Sequence, residues 1–295
     1  MRIGAFEIEE PLPELREPHV LAMLRPWVDV GSVGSVTLRR LGRHFRARDL
    51  AKLARPGTFF DFTRYRPSTR LVDGKRHTTT PNTTLRYAQT PGDHDLLFLR
   101  MFEPHANAED YIDSILELLK FVKARAYCRV GAMYDSVPHT RPIVITGNSG
   151  AIEPRPGAKS PLVQQQQSQY QGPTSIMNVL TDSLNEAGIV TMNFMAHLPH
   201  YAQLDEDYAA AARMIEVLSA YYEIPPSLAR ARRGEEQYRQ LNVAVEQNPQ
   251  VKQILADLEA HYDSTYGTAE PKTEGESELS PEIERFLRDL DQGLK

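Results

Sequence analysis

The chain has 295 residues, 41% of them hydrophobic and 25% charged; these are values of ordinary globular proteins, and they exclude a fibrous or fully disordered chain. The net charge of −5 argues against a general nucleic-acid binder, and the single cysteine, Cys128, excludes an internal disulfide and a CxxC metal or redox pair. No apolar run approaches the roughly 20 residues of a membrane helix, and the acidic segment 1–18 does not resemble a signal peptide, so we expect a cytoplasmic protein with no membrane partner.

Continuous apolar runs predict five buried strands. They span residues 19–24, 95–101, 127–133, 143–146 and 188–196. The runs are apolar throughout rather than alternating, which is typical of strands covered on both faces. Helix-period stretches at 108–122 and 174–187 lie between them. Strand, helix and strand in succession predict right-handed crossovers and an α/β fold with a mostly parallel sheet, whereas residues 59–84 read as a hairpin or an irregular excursion.

The remainder of the chain predicts a helical extension and a tail. We divide the chain into an α/β core at 1–205 and a helical extension at 206–263 that packs on it. Residues 264–280 are rich in Thr, Glu, Gly and Ser, which predicts a disordered linker, and 281–295 predict a short amphipathic helix. Its apolar stripe could bind a protein partner or fold onto its own domain. The stripe consists of Ile283, Phe286, Leu287 and Leu290.

Polar loops follow the predicted strands, and ligands of open parallel sheets bind at the carboxyl edge of the strands. In VPHTRP at 137–142, prolines stiffen the backbone around His139 and Arg141. Arg141 could hold a phosphate or carboxylate in bidentate fashion, or it could pair with a carboxylate of the protein and lock the loop. Thr174 stands at a helix start, where free N–H groups can seat an anion, although ordinary capping explains Thr and Ser there equally well.

Familiar catalytic and cofactor motifs are missing from the sequence. DVGSVGSVTL at 29–38 resembles a strand, glycine loop and helix, but it lacks the third glycine of a dinucleotide fingerprint and the Gly-Lys-Ser/Thr of a phosphate-binding loop. His197 and His200 in a Pro-containing loop do not have metal-site geometry. No Gly-x-Ser-x-Gly nucleophile elbow follows a strand. We therefore predict no metal and no cofactor.

Several motifs, taken in order, resemble the proteasome assembly chaperone 2 family. VPHTRP at 137–142, QYQGPTS at 169–175 and HLPHYAQ at 197–203 are joined by Trp27-x-Asp29-x-Gly31 and by Glu103-Pro104. The set covers roughly residues 19–262, and EIERFLR at 282–288 is similar to the C-terminal signature of bacterial, actinobacterial-type members. The resemblance implies a three-layer α/β/α sandwich similar to phosphorylase/hydrolase-like folds, a helical C-terminal extension and a homotrimer.

Two functional hypotheses follow from the residues and the resemblance. The leading one is a non-catalytic, oligomeric assembly-chaperone-like or protein-interaction protein, with itself and a tail-bound protein as partners and no nucleic acid. The alternative is an enzyme or small-molecule binder for a phosphate- or carboxylate-bearing ligand at the carboxyl edge of the sheet. Its candidate pocket consists of Trp27, Asp29, Gly31, Glu103, His139, Arg141, Gly172, Thr174, His200 and Tyr201.

Overall fold

The fold is that of a computed structural model, in which residues 1–158 and 174–266 are described. The strands are β1 (Arg2–Ile3), β2 (Phe6–Ile8), β3 (His19–Arg25), β4 (Arg48–Leu53), β5 (Ser68–Val72), β6 (Lys75–Thr79), β7 (Thr84–Ala88), β8 (Leu96–Phe102), β9 (Ala126–Asp135), β10 (Ile145–Asn148) and β11 (Val190–Pro199). The helices are α1 (Val33–His44), α2 (Ala108–Phe121), α3 (Ile176–Glu186), α4 (Tyr208–Ser219), α5 (Arg232–Glu246) and α6 (Pro249–Tyr266).

A mixed sheet of nine strands forms the centre of the molecule, in the order β1-β2-β4-β7-β8-β3-β9-β11-β10. Parallel pairing joins β8, β3, β9 and β11, and the other strand pairs described in this sheet are antiparallel. The expected α/β fold is confirmed, but the parallel part is limited to the four central strands. Strands β5 and β6 form a separate exposed hairpin, where the sequence predicts an excursion.

Helices cover both faces of the sheet, which makes the domain an α/β/α sandwich. On one face, α1 and α4 pack on residues such as Leu21 and Met23 of β3. On the other face, α2 and α3 pack on Val20 and Ala22 of the same strand. Successive β3 side chains thus enter opposite cores, and this explains why the run is apolar without alternation.

The orientation of β10 changes the expected position of one loop. Ile145 lies opposite Ala196 and Asn148 opposite Asn193, so β10 runs antiparallel to β11. The chain after Asn148 therefore leaves at the amino edge of the parallel strands, and the expectation that this loop belongs to the carboxyl edge is wrong. A four-residue apolar run carries no information about direction.

The C-terminal helices differ in how deeply they pack. Helix α4 contributes Met214, Ile215 and Leu218 to the core that it shares with α1. Helices α5 and α6 are largely exposed, and they form the extension on the α4 side. Helix α6 continues to Tyr266, beyond the predicted start of the linker at 264, and the tail stripe at 283–290 lies outside the described residues. No helix in 1–158 or 174–266 is long and apolar enough to cross a membrane.

Candidate functional site

The turn after β3 buries an acidic side chain. Asp29 is 8% exposed; its Oδ1 accepts the backbone N–H of Ser35 at 3.0 Å, and its Oδ2 accepts the Ser35 hydroxyl at 2.6 Å. Burial raises the pKa of Asp29, and the two bonds from Ser35 oppose this rise. Gly31, with φ of +55°, supplies the left-handed residue that turns the chain into α1. Asp29 therefore fixes the start of α1 to the end of β3.

The loop at 137–142 holds a buried histidine between the turn after β11 and helix α5. The backbone N–H of His139 donates to the Tyr201 hydroxyl at 2.9 Å, and the ring Nδ1 lies 2.6 Å from the same oxygen. The Asn242 oxygen that faces Nε2 can only accept a hydrogen bond, so Nε2 donates and the Tyr201 hydroxyl donates to Nδ1. Burial raises the pKa of Tyr201 to about 12, which keeps this proton on the hydroxyl. The proton of neutral His139 then resides on Nε2, which lies 2.8 Å from Oδ1 of Asn242. Burial lowers the pKa of His139, although the bond to Asn242 opposes the change.

Arg141, two residues further on, binds carboxylates of α6. Its Nε and Nη2 donate to the two carboxylate oxygens of Asp263, both at 2.7 Å, and Nη1 donates to Glu259 at 3.2 Å. The bond to Asp263 raises the pKa of Arg141 and lowers that of Asp263. The Tyr262 hydroxyl also donates to the carbonyl of Pro142 at 2.8 Å. The sequence allows Arg141 either to bind a ligand anion or to pair with a carboxylate of the protein and lock the loop. The hydrogen bonds described here are those of the second role.

A second polar chain crosses the neighbouring strands. Asp135 Oδ2 lies 2.6 Å from His197 Nδ1, and Thr146 Oγ1 lies 2.7 Å from His197 Nε2. Burial, the largest single influence, would raise the pKa of Asp135. The hydrogen bonds from His197 and from the Ser136 N–H, together with the charges of His197 and His200, outweigh burial and hold that pKa below its usual value. The connectivity is that of a nucleophile, a base and an orienting carboxylate. However, His197 is only 6% exposed, and other residues line the two surface grooves found in the described chain. The need of a buried histidine for hydrogen-bond partners at both ring nitrogens is enough to explain the network.

The other candidate residues occupy separate places. Glu103 accepts the first N–H of α3, that of Ile176, at 3.1 Å; burial raises its pKa. Its second oxygen, Oε2, is buried without a hydrogen-bond partner among the described residues. Trp27 is 59% exposed, and the His200 ring stacks on Tyr134 at 5.3 Å.

The start of α3 is capped in an ordinary way. Ser175 is the N-cap and accepts the N–H of Met177, while the Thr174 hydroxyl accepts from Asn178 at 2.6 Å. Gly172 lies outside the described residues. The structure thus brings His139 together with Tyr201, and Glu103 with the start of α3. None of the nine described candidates lines either groove.

Sequence reasoning missed the partners of the 137–142 loop. Asn242 comes from α5, and Glu259 and Asp263 come from α6, all about 100 residues away in sequence. The spacing of four between the two acids was the available signal, because it places them on one helix face. No group of three or more His, Cys, Asp or Glu side chains within 1–158 and 174–266 could hold a metal ion.

Comparison with known proteins shows which family has this sequence and which solved structures have this fold. The model of the PAC2 family matches residues 23–241. A Corynebacterium glutamicum protein of unknown function is 21% identical, with a TM-score of 0.75, over 88% of this chain and 97% of that one. A Mycobacterium tuberculosis protein of unknown function is 25% identical, with a TM-score of 0.74, over 90% of both chains.

A second Mycobacterium tuberculosis protein with this fold is described as a proteasome-assembly chaperone homologue. This proteasome-assembly chaperone homologue is 22% identical, with a TM-score of 0.66, over 80% of this chain and 99% of that one. No curated protein matches the chain. The structural likenesses support a shared fold, and the family match covers most of the chain, so the family indicated by the ordered sequence motifs is confirmed. The chain belongs to the PAC2 family.

Proposed function

We propose that this protein is a non-catalytic, homo-oligomeric assembly-chaperone-like or protein-interaction protein that acts in the cytoplasm. One observation carries the proposal: the polar side chains of the 137–142 loop are bound by other side chains of the same chain. Both ring nitrogens of His139 have partners, and the Arg141 guanidinium is shared between Asp263 and Glu259. These contacts serve to attach α5 and α6 to the core.

The chemistry of a catalytic site needs the opposite arrangement. A general acid or base must reach a proton of the substrate within hydrogen-bond distance, but His139 is 5% exposed and fully engaged. An arginine that binds a substrate anion must have donors to offer, and those of Arg141 already meet two carboxylates. His139 and Arg141, the two residues of the 137–142 motif that could take part in catalysis, thus stabilise the fold through these contacts.

The family supports a role in assembly, and the sequence supports a partner surface. The Mycobacterium tuberculosis relative is described as a proteasome-assembly chaperone homologue, and we extend a chaperone-like role to this chain as part of the proposal. We further propose a trimer and a protein partner that binds the apolar stripe of the tail. The net charge of −5 fits protein partners better than nucleic acid.

The ten-residue ligand pocket remains the alternative proposal. Glu103 favours it most, because a buried carboxylate oxygen without a described hydrogen-bond partner is the kind of group that a ligand could satisfy. Asp29, His139 and Arg141 favour it less, since each has partners within the protein.

Native mass spectrometry of the full chain, purified gently from its own cells, tests the proposal. We expect a mass of three subunits and an additional protein mass bound in defined stoichiometry. Replacing Phe286 and Leu287 together by alanine should remove the added protein mass and leave the oligomer. Arg288→Ala, on the opposite side of the predicted tail helix, is the matched control and should change neither.

Two results would contradict the proposal. One is a monomer whose mass is unchanged by the tail substitutions. The other is a stoichiometric small-molecule mass that disappears in Arg141→Ala, which would favour the ligand pocket instead.

A further inference from the structure

Two adjacent parallel strands send their chains to opposite faces of the sheet. Strand β3 pairs with β8 along its whole length, from His19 opposite Leu96 to Arg25 opposite Phe102. The helix after β3, α1, packs on one face, whereas the helix after β8, α2, packs on the other. A crevice opens beyond the carboxyl ends of two strands that diverge in this way, and it is the general ligand position of open α/β sheets.

A groove of about 540 Å³ lies at this switch point, within the size range of small-molecule sites. Arg25 and Pro26 from the end of β3, and Arg100 and Phe102 from the end of β8, form one part of its lining. The rest comes from β7, from the β5–β6 hairpin and from the segments that flank it. These residues are Tyr65, Arg66, Ser68, Thr79, Thr80, Pro81, Asn82 and Thr84.

The groove carries three guanidinium groups and no lining carboxylate. Among the described residues, the side chains of Arg66 and Arg100 have no hydrogen bond or ion pair. The Arg25 guanidinium lies 3.8 Å from the Asp29 carboxylate and 6.0 Å from the centroid of the Phe102 ring. Partial desolvation and the charge of Arg25 lower the pKa of Arg100, and the negative charge of Asp29 opposes this change in part. One buried carboxylate, Asp29, compensates the three positive charges only in part. Like charges left in one place oppose folding, and such a cost is typical of binding sites.

We propose that the groove at the carboxyl ends of β3 and β8 binds a small organic phosphate. Guanidinium groups match the geometry of phosphate oxygens and can each donate two hydrogen bonds. Three of them suit a dianionic phosphate better than a single carboxylate. The rings of Tyr65 and Phe102, whose centroids lie 5.1 Å apart, offer apolar surface to the organic part, and Asn82, Ser68 and Thr84 offer neutral polar groups.

This site is independent of the proposed assembly role and of the 137–142 loop. Its arginines lie at the ends of β3 and β8 and in the segment before the β5–β6 hairpin, whereas Arg141 belongs to the contact with α6. Loss of the tail partner would therefore leave the groove intact, and loss of phosphate binding would leave the assembly proposal untouched.

Isothermal titration calorimetry of the full-length protein tests the proposal with inorganic phosphate and phenyl phosphate as probes. We expect saturable binding of both, with phenyl phosphate bound more tightly because of its ring. Arg66→Gln and Arg100→Gln should each weaken binding about tenfold or more, as expected for the loss of a charged hydrogen bond. Arg70→Gln removes the same charge from the exposed strand β5 outside the groove lining, and its affinity should equal that of the unmodified protein.

The melting temperature separates binding from folding. Both groove variants should melt at or above the temperature of the unmodified protein, because each removes like-charge repulsion. Absence of saturable binding in the unmodified protein would overturn the proposal, as would equal weakening in Arg70→Gln. Variants that dissociate the oligomer without any change in affinity would assign the groove to a subunit contact and would overturn it as well.

Discussion

Replacing His139 tests whether the loop at 137–142 is a structural lock. His139→Ala removes the ring acceptor of the Tyr201 hydroxyl and the donor to Asn242. Each hydrogen bond contributes about 0.5–1.5 kcal/mol, and buried groups left without partners cost more. Together with the loss of packing around a residue that is 5% exposed, we expect the free energy of unfolding to fall by about 2–4 kcal/mol.

The same histidine gives stability a defined pH dependence. The pKa of His139 is lower in the folded protein than its ordinary value of 6.5, because burial disfavours the charged ring. As pH falls below about 6.5, the unfolded chain binds a proton that the folded chain resists, so the free energy of unfolding decreases. His19, whose pKa burial lowers to about 4, adds a slope of the same sign. Only the difference between the unmodified protein and His139→Ala isolates the contribution of His139.

Urea unfolding followed by circular dichroism between pH 5 and 8 measures both effects. His77→Ala, on the exposed strand β6, is the control and should leave the stability and its slope unchanged. His139→Ala should be less stable at pH 8 and should lose less stability on acidification than the unmodified protein. A variant with full stability at pH 8, or with an unchanged pH slope, would refute the assignment of His139 to the lock.

Substitutions at three further positions test packing and helix capping. Gly131→Ala would place a Cβ 2.4 Å from the carbonyl oxygen of Val28, so we expect a loss of about 1–3 kcal/mol. Gly42→Ala in α1 meets only ordinary contacts at 3.6 Å or more and should raise stability by about 0.5–1 kcal/mol; equal melting temperatures for the two would contradict this. Asp207 caps α4 through the N–H of Ala210 and accepts the Tyr238 hydroxyl, both at 2.8 Å. Asp207→Ala should therefore cost about 2–4 kcal/mol, whereas Asp207→Asn, which keeps a cap, should retain most of that stability in urea unfolding.

The central strands were predictable because each is a continuous apolar run, a pattern that can be recognised within a few residues of sequence. The run at 19–24 becomes β3, and the run at 127–133 becomes the middle of β9, since strands buried on both faces must be apolar throughout. The outer strands β2 and β4 were not predicted. Both strands mix buried and exposed residues, and β4 carries charged side chains at Arg48, Asp49 and Lys52. Such segments become strands through pairing with neighbours that the sequence does not identify.

One part of the candidate site was predictable from the strands that precede it. His139 and Tyr201 follow two strands that pair directly, β9 and β11, so a common sheet edge brings them together. Asn242 and Asp263 reach the loop through the packing of α5 and α6, which no local pattern specifies. Arg100 was not a candidate because it lies inside an apolar run. A single charged residue there indicates the end of a buried strand and gives no sign of a groove.

Arg141 and Arg100 show how one residue type serves two purposes at the same edge of one sheet. Arg141 meets two carboxylates of α6, so its charge is neutralised within the chain and its donors are used for attachment. The Arg100 side chain has no hydrogen bond or ion pair among the described residues, and the nearby charges of Arg25 and Asp29 act on it in opposite directions. A protein that needed only stability would neutralise or replace such an arginine, since like charges in proximity destabilise the folded state. The position of Arg100 at the switch point, where a ligand can supply the missing negative charge, is the physical reason to look for the second function there rather than around Arg141.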